Sequence, residues 1–346
     1  MNTHPLLTLL ILTYRQSRFV REAVMSALSQ DYPNLEIVIS DDASQDGTIE
    51  IIKDCLLDYH GSHRIIVNEN SRNLGIGAHM RKALGLCHGE WIITQGGDDV
   101  SLSNRAWVTA KYIQEFPSAA AIGISATAID EEDRELESSH AVSEIKIYPQ
   151  YKGGKLTTSQ TPGEDVSFVM LIGAMAAYRR DVTNLAEMPE ASVAEDVILS
   201  WRSILLGDIV CIPERCVLHR LNNESITRKG HKSRSRKERQ ASRRRVEEMI
   251  YRSFDALDRE AAGYPIAVPE PWLEYVRCAR SRSLLRSFPF GFDPRGLSSY
   301  VDAVSHSDLS IYQLIRQTGR YGTRYKMICL LLRLIGSKFL HRGRTF

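Results

Sequence analysis

The first hundred residues alternate between apolar runs and amphipathic segments, and this alternation is what most constrains the fold. Continuous apolar runs at 7–13, 35–40, 64–67 and 90–94 predict strands that are buried on both faces. Between these runs, apolar residues recur at helical spacing, which predicts one helix in each gap. Four strand–helix units with short connections predict an α/β fold, with a mostly parallel sheet and helices on both faces.

Polar pairs stand at or just beyond the carboxyl ends of three of these predicted strands. The pairs are Thr13-Tyr14, Asp41-Asp42 and Asp98-Asp99. Open sheets of this class bind ligands outside the carboxyl ends of their strands, so we expect the three pairs to converge on one site. The alternative for each pair is a simple polar turn, since Asp and Gly are common turn residues.

The composition bounds the partners and the compartment. The 44 Lys and Arg residues nearly balance the 42 Asp and Glu residues, so we expect no nucleic acid partner for the molecule as a whole. The six cysteines are scattered and form no Cys-x-x-Cys pair, which predicts buried thiols in a reducing, cytoplasmic compartment. The apolar run at 6–12 is too short for a signal sequence or a membrane span, and we interpret it as the first strand.

Five segments, in this order, resemble the motifs of glycosyltransferase family 2, and together they cover roughly residues 5–228. They are "TYRQSRFVREAVMSALSQDYPNLEIVISDDASQDGT", "NLGIGAHMRKALGLCHGEW", "GGDD", "IGAMAAYRR" and "AEDVILSWRSILLG". The resemblance implies the GT-A fold, a Rossmann-like nucleotide-sugar domain, and sugar transfer with inversion. The expected division is a catalytic domain at 1–228 and a basic, mainly helical extension at 229–346.

The family also implies roles for the polar pairs. Asp42 is expected to contact the nucleobase, with Thr13 in the same pocket and Tyr14 and Asp41 beside them. Asp99 is the expected ligand of Mn²⁺ or Mg²⁺, and Asp98 contacts the ribose or shares the metal. The commoner family pattern has an aspartate where Gly96 stands, so the division of roles between the two aspartates stays open. For Asp41-Asp42 the alternative is a turn that only caps the helix starting at Thr48.

A third acidic pair, Glu195-Asp196, lies at the start of a helix predicted over about 194–206. The family implies that the aspartate of this pair is the general base, and Glu195 is expected to orient it or to contact the acceptor. Adjacent helical residues point about 100° apart, so the two carboxylates cannot face an acceptor equally. The alternative is that both acids only complement the helix dipole.

Two arginines and one missing motif refine the prediction. Arg220 follows a predicted strand and is expected either to bind phosphate in bidentate fashion or to be an ordinary surface arginine. Arg81 stands where the family usually has a small polar residue, and no role is assigned to it. The segment "SWRSI" (200–204) does not match the Gln-x-x-Arg-Trp motif of processive members, which favours transfer of a single sugar.

The C-terminal third is strongly basic in places. Residues 228–245 contain ten Lys and Arg and one acid, Glu238. The tail at 325–340 has one apolar helical face with basic residues around it, so it either lies on an anionic membrane surface or packs against the core of the protein. The basic run lacks the interleaved aromatic residues of single-strand binders, which disfavours a nucleic acid interface.

The sequence therefore predicts an inverting, metal-dependent glycosyltransferase that uses a nucleotide sugar, with UDP or dTDP favoured. The expected acceptor is a glycan or a lipid-linked glycan in surface polysaccharide biosynthesis, at the inner face of the membrane. Two alternatives stay open. One is a non-catalytic scaffold that keeps the fold, and the other is a nucleotidyltransferase, although "LTYRQSRF" is not the Gly-rich phosphate loop that such an enzyme needs.

Overall fold

The structure is a computed structural model of the 346-residue chain. It describes residues 4–137, 141–152, 170–190, 193–222 and 236–287. Much of the weakly patterned stretch at 140–165, the first half of the basic run and the whole amphipathic tail at 325–340 lie outside the described residues.

The chain divides into two compact units. The first comprises Met1–Asn222 together with Tyr264–Ile266, and the second comprises Asn223–Gly263 and Ala267–Phe346. The domain boundary that the sequence predicts, at residue 228, lies outside the described residues, so it stays a prediction.

Within the described residues of the first unit, the strands form a single mixed sheet. Their order is β3-β2-β1-β4-β8-β6-β9-β5, and β7 also pairs with β9. The strands are β1 (Leu7–Thr13), β2 (Leu35–Asp41), β3 (Arg64–Glu69), β4 (Trp91–Gly96), β5 (Val100–Ser101), β6 (Ala119–Ile129), β7 (Lys146–Tyr148), β8 (Ala176–Arg179) and β9 (Asp208–Arg220).

The helices of the first unit connect these strands. They are α1 (Val20–Leu28), α2 (Thr48–Leu57), α3 (Ile76–Leu84), α4 (Arg105–Glu115), α5 (Arg180–Asn184) and α6 (Glu195–Leu206). Gly47, at φ 91°, is the residue before α2, and glycine tolerates this left-handed backbone at little cost. Thr48 is therefore the first residue of the helix.

The predicted parallel half is confirmed. β1 pairs with β2 and with β4 in parallel, and β2 pairs with β3 in parallel. Thr13 is in register with Asp41, and Leu12 is in register with Gly96, so the predicted polar ends meet at one edge of the sheet. The second half is more mixed than the first, because β8 runs antiparallel to both β4 and β6.

Helices cover both faces of the sheet, as the alternation predicts. Leu9 and Ile37 belong to a core cluster that also contains Val24 of α1, Ile52 of α2 and Ala110 of α4. Successive strand residues point to opposite faces, so Ser40, which follows the core residue Ile39, points to the face opposite this cluster. There the Ser40 hydroxyl lies 2.8 Å from His79 Nε2 of α3, which places α3 on the opposite face.

The segment after Gly207 differs from its prediction. The sequence predicts two short strands there, but Asp208–Arg220 forms one strand of 13 residues. Register shifts between Ile124 and Ala126 of β6 interrupt its pairing with β9, and such bulges mimic a strand break in the sequence pattern. The long strand matters for function because it carries Arg220 to the same edge as Asp98 and Asp99.

The described residues of the second unit contain two further helices, α7 (Arg236–Glu260) and α8 (Glu270–Ser287). They are joined by ion pairs in which Asp258 accepts from Arg277 at 2.9 Å and from Arg280 at 2.7 Å. These helices agree with the predicted helical extension. Among the described residues, no helix has both the length and the apolar character that a bilayer span requires.

Candidate active site

The end of β1 is tied to the end of β2 through buried polar groups. The Thr13 hydroxyl donates to Asp41 Oδ1 at 2.8 Å, and the backbone N–H of Ser44 donates to Asp41 Oδ2 at 2.8 Å. Both Thr13 and Asp41 are buried. Asp41 therefore shapes the turn after β2, and it brings the predicted nucleobase pocket residues into contact.

Asp42 has a different set of partners. Its Oδ1 accepts from the Asn70 side-chain amide and from the backbone N–H of Leu74, each at 2.8 Å, and its Oδ2 accepts from the N–H of Gly75 at 2.9 Å. An ionised carboxylate offers about four acceptor positions, so these three bonds leave about one for a ligand. Asp42 thus organises the loop between β3 and α3 beside the predicted pocket.

Asp41 bonds the turn after β2, but α2 begins without a side-chain cap from Asp41 or Asp42, so the roles expected for this pair stay predictions. The first turn of α2 is supported instead by Asp46, whose Oδ1 accepts from the Thr48 hydroxyl at 2.6 Å and from the Thr48 N–H at 3.2 Å. Tyr14, in contrast to Thr13, stays 39% exposed, with the Arg15 guanidinium 5.2 Å from the centre of its ring.

Asp98 and Asp99 follow β4, and each has one oxygen held by the end of β9. Asp99 Oδ1 accepts from the backbone N–H of Arg220 at 2.9 Å, and Asp98 Oδ2 accepts from the side-chain amide of Asn222 at 2.5 Å. The other two oxygens converge. A Cβ atom added at Gly96 would lie 2.7 Å from Asp99 Oδ2 and 2.8 Å from Asp98 Oδ1.

The electrostatics of this pair favour a cation. Burial raises the pKa of Asp98, and the neighbouring charge of Asp99 raises it further. Burial also raises the pKa of Asp99, against the opposing effects of the Arg220 N–H and the Arg105 charge. Two such carboxylates, with converging oxygens, fit a hard divalent ion such as Mg²⁺ or Mn²⁺. Among the described residues, no three His, Cys, Asp or Glu side chains are grouped as metal ligands, so water and phosphate would complete the shell.

Arg105 lies close to this pair, and its charge acts on Asp99. Its side chain is fully buried, and its Nη2 donates to the carbonyl oxygens of Thr94 at 3.0 Å and Ala174 at 3.1 Å. Burial lowers the pKa of Arg105 to about 10, although the charge of Asp99 opposes this shift. As the first residue of an amphipathic helix, Arg105 has the sequence pattern of an ordinary solvated position, so no local signal identifies it.

Arg220 is not the surface arginine of the alternative prediction, because only 1% of its side chain is exposed. Its Nη2 pairs with Glu22 at 2.7 Å, and its Nη1 pairs with Asp133 at 2.6 Å. Its Nε donates to the carbonyl oxygen of Asp98 at 3.0 Å. Phosphate binding by Arg220 stays a prediction, although these contacts occupy most of its donors.

Glu195 and Asp196 are the first two residues of α6. The N-cap residue Ala194 makes no side-chain cap, and Asp196 Oδ1 accepts from the N–H of Val197 at 2.8 Å. Burial raises the pKa of both acids, and for Glu195 the charge of Asp196 adds to the increase. Ionised acids that only complemented a helix dipole would have lowered pKa values, so this environment disfavours that alternative.

A short 3₁₀ turn, Gly173–Met175, connects the acidic pair to β4. A Cβ atom at Gly173 would lie 3.1 Å from Glu195 Oε1, so the absence of a side chain there lets the backbone approach the carboxylate. The Thr94 hydroxyl donates to the carbonyl oxygen of Gly173 and, at 3.1 Å, to that of Ala176. Thr94 therefore joins the strand that leads to Asp98 and the turn that faces Glu195.

The loop before α6 is held from two sides. Arg81 of α3, which had no predicted role, pairs with Glu187 at 3.1 Å and also with Glu190. The buried Arg202 of α6 donates to the carbonyl oxygens of Ala186 at 2.9 Å and Glu187 at 3.1 Å. Arg81 thus contributes to placing the segment that leads into Glu195.

Comparison with known families decides the assignment. The model of the family described as "Glycosyl transferase family 2" matches residues 8–185, just over half of the chain. The chain belongs to glycosyltransferase family 2. The matched range contains the polar ends of β1, β2 and β4 but stops before Glu195, so the family model itself does not cover the acidic pair.

Relatives of this family 2 protein are matched over part of their length. The chain is 31% identical to EpsE of Bacillus subtilis over 131 residues, which are 38% of this chain and 46% of EpsE. The chain spans less than half the length of each of the first curated relatives that it matches. Their sugars and acceptors are therefore no guide to those of this protein as a whole.

Solved structures confirm the GT-A fold of this family 2 protein. TarS residues 1–349 of S. aureus has a TM-score of 0.56 at 16% identity, over 98% of this chain and 92% of that one. The mannosyltransferase PcManGT of Pyrobaculum calidifontis, solved with GDP-Man and Mn²⁺, has a TM-score of 0.52 at 16% identity. That match covers 96% of this chain and 88% of PcManGT.

Proposed function

We propose that this family 2 protein transfers a single sugar, with inversion, from a nucleoside-diphosphate sugar to a glycan or lipid-linked acceptor. The observation that carries the proposal is the convergence of Asp98 Oδ1 and Asp99 Oδ2 on the space that Gly96 leaves open. This pair stands beside the proposed nucleobase pocket. Gly97, the residue before the pair, donates its N–H to the carbonyl oxygen of Leu12, and a Cβ atom added at Gly97 would contact Thr13.

The nucleotide is held by the ends of β1 and β2 in this proposal. Thr13, Asp41 and Asp42 line the base pocket, and Tyr14 lies at its exposed rim. The acceptor position left on Asp42 suits a ring N–H, which uracil, thymine and guanine carry, and the family resemblance favours UDP or dTDP as the carrier. TarS has been solved with UDP and with UDP-GlcNAc, which agrees with a uridine donor at this fold.

Asp98 and Asp99 would hold Mn²⁺ or Mg²⁺ against the diphosphate. When bound, such an ion acts as a Lewis acid that stabilises negative charge on the departing phosphate. The raised pKa values of the two aspartates reflect the cost of two buried negative charges, and a divalent cation removes that cost. The Mn²⁺ in the PcManGT structure is a precedent for a divalent ion at this fold.

Asp196 is the proposed general base. It removes the proton of the acceptor hydroxyl while that oxygen attacks the anomeric carbon from the side opposite the diphosphate. The bond from the anomeric carbon to the diphosphate oxygen breaks, the configuration inverts, and the proton remains on the Asp196 carboxyl. Burial has raised the pKa of Asp196 towards neutrality, which suits a base that must accept a proton at physiological pH. Glu195 orients this carboxylate or contacts the acceptor.

The proposal also includes the domain organisation, the location and the biosynthetic process. The catalytic domain spans 1–228, and the basic region at 229–346 provides peripheral contact with an anionic membrane surface, at the cytoplasmic face. Surface polysaccharide biosynthesis is the process that fits a lipid-linked acceptor there. A scaffold without catalysis is the second candidate, and it requires that Asp99 and Asp196 be replaceable.

The test is a titration of the purified protein with UDP, dTDP, GDP and CDP, each with and without Mn²⁺. We expect one nucleotide to bind with Mn²⁺ and much more weakly without it, and we expect Asp99→Ala to abolish this enhancement. Asp31→Ala, which changes an exposed aspartate of the same type, is the matched control. If the folded protein binds none of the four nucleotides, the proposed function is wrong and the scaffold is favoured.

A further inference from the structure

The end of β9 reaches the Asp98-Asp99 turn through three hydrogen bonds. The backbone N–H of Arg220 donates to Asp99 Oδ1 at 2.9 Å, and Arg220 Nε donates to the carbonyl oxygen of Asp98 at 3.0 Å. The Asn222 amide donates to Asp98 Oδ2 at 2.5 Å. These contacts join parts of the chain that are 121 to 124 residues apart, and they are made by the last residue of β9, Arg220, and by Asn222 two residues beyond it.

These bonds decide where the remaining carboxylate oxygens point. A carboxylate can rotate about the bond to its Cβ atom, but a hydrogen bond to one oxygen fixes the direction of the other. With Asp99 Oδ1 and Asp98 Oδ2 held, the other two oxygens, Asp99 Oδ2 and Asp98 Oδ1, lie 2.7 Å and 2.8 Å from the position that a Cβ atom at Gly96 would occupy. The end of β9 therefore aims these two oxygens at the same space.

The guanidinium of Arg220 is itself fixed by ion pairs, a hydrogen bond and an aromatic contact. Its guanidinium pairs with Glu22 of α1 and with Asp133, at 2.7 Å and 2.6 Å. It also donates to the carbonyl oxygen of Asp130 at 3.0 Å and lies 4.7 Å from the centre of the Phe19 ring. Two carboxylates balance its charge in a buried position, so the side chain anchors the strand end rigidly.

We propose that the end of β9 is the positioning element of the metal site, with Asn222 as the positioning residue for Asp98 and Arg220 as that for Asp99. The inference rests on the proposed function, because it takes Asp98 and Asp99 as the metal-binding carboxylates. Partners that orient metal ligands typically change metal affinity by about 10–100-fold when they are removed. We expect the same range for the loss of the Asn222 amide.

The experiment measures Mn²⁺ affinity by electron paramagnetic resonance of free Mn²⁺, with the best-binding nucleotide of UDP, dTDP, GDP and CDP present. Asn222→Ala removes the amide, and Asn222→Leu removes it while keeping the side-chain shape. Arg220→Lys keeps the charge but not the fork of donors. Asp99→Asn provides the reference for a lost site, and Asn104→Ala is the matched control at an exposed asparagine that makes no capping bond.

We expect both Asn222 variants and Arg220→Lys to weaken Mn²⁺ binding by about 10–100-fold and to change the spectrum of bound Mn²⁺. Nucleotide affinity without metal and the melting temperature of Asn222→Leu should stay close to those of the wild type, which separates positioning from general destabilisation.

Two results would overturn the inference. One leaves the metal site intact, and the other removes it. If the Asn222 variants bind Mn²⁺ as the wild type does while Asp99→Asn does not, the metal site stands and the positioning role is wrong. If the wild-type protein binds no Mn²⁺ with any of the nucleotides, the metal-assisted function fails, and the positioning role fails with it.

Discussion

The Asp42 carboxylate accepts a 2.8 Å hydrogen bond from the side chain of Asn70, which joins the end of β2 to the loop beyond β3. The same carboxylate accepts the N–H groups of Leu74 and Gly75. One side chain therefore shapes the loop that precedes α3 and also offers a remaining acceptor position to a nucleotide. The pocket and the loop are consequently expected to respond together when Asp42 is changed.

Asp42→Asn should impair both properties. The asparagine has only one acceptor oxygen, so at least one of the three hydrogen bonds is lost, at a cost of about 1 kcal/mol in the free energy of unfolding, because the Gly75 N–H also donates to Asn73 Oδ1 at 3.0 Å. Affinity for the nucleotide should fall at least about tenfold, equivalent to about 1.4 kcal/mol. Urea unfolding and calorimetric titration measure the two effects. Asp58→Asn, at an exposed position after α2, is the control and should change neither.

Gly96→Ala should remove metal binding. The added Cβ atom meets Asp99 Oδ2 and Asp98 Oδ1, at 2.7 Å and 2.8 Å, so both carboxylates must turn and weaken their hydrogen bonds to Arg220 and Asn222. The two oxygens then no longer face the same space. We expect a folded variant with a lower melting temperature than the wild type and loss of Mn²⁺-dependent nucleotide binding. Gly263→Ala, where an added Cβ atom has no neighbour within 4 Å, is the control. Unchanged Mn²⁺ binding in Gly96→Ala would contradict the geometry proposed for the ion.

Arg105→Met should be strongly destabilising. The substitution keeps much of the side-chain volume but leaves the carbonyl oxygens of Thr94 and Ala174 without their donor and removes a charge that favours ionised Asp99. Breaking a buried ionic arrangement of this kind costs about 3–5 kcal/mol. Urea unfolding at pH 7 measures the loss. Arg134→Met, at an arginine with 73% side-chain exposure, should stay within about 0.5 kcal/mol of the wild type.

The Glu195-Asp196 pair predicts a specific pH dependence of stability. Both pKa values are raised in the folded protein, by burial first, so the folded state binds more protons than the unfolded state above the ordinary values of 4.5 and 3.8. The stabilising contribution is therefore present at low pH and is lost as pH rises through the raised values, by about 1.4 kcal/mol for each unit of pKa shift.

Glu195→Gln tests this sign directly. The variant lacks one titrating group and the repulsion between the two charges, so its free energy of unfolding should decline less between pH 5 and pH 8 than that of the wild type. Urea unfolding at the two pH values measures the difference, and Glu187→Gln, at a side chain with 84% exposure, is the control. An equal decline in Glu195→Gln and the wild type would mean that ionisation of this pair does not cause the loss of stability.

Asp196→Asn should separate chemistry from donor binding. Removing a general base typically lowers kcat by about 10²–10⁴-fold, whereas nucleotide binding at the ends of β1 and β2 should be unchanged. Steady-state kinetics and the nucleotide titration measure the two properties. Asp181→Asn, at an aspartate with 50% side-chain exposure that pairs with Arg179, is the control. Full activity in Asp196→Asn would show that another group is the base, whereas absence of activity in the folded wild type would favour the scaffold alternative.

The sequence by itself determined the first half of the sheet and the positions of its polar ends. Apolar runs mark buried strands wherever they occur, and short helical crossovers make neighbouring strands parallel, so their carboxyl ends meet at one edge. This local information is sufficient to bring Thr13 and Asp41 together in register and to place Gly96 beside them. The family motifs added roles for these residues, which the fold alone cannot supply.

Only the tertiary structure decided which oxygen of each carboxylate is held by the end of β9. The contacts of Arg220 with Glu22, Asp99 and Asp133 join segments that are far apart in the chain. The burial of Arg105 likewise depends on which strand and turn lie above it. Local periodicity reports which face of an element is apolar, but the partner of a buried charge depends on packing between distant elements. The sequence therefore predicted where the site lies, and tertiary packing decided how its carboxylates are aimed.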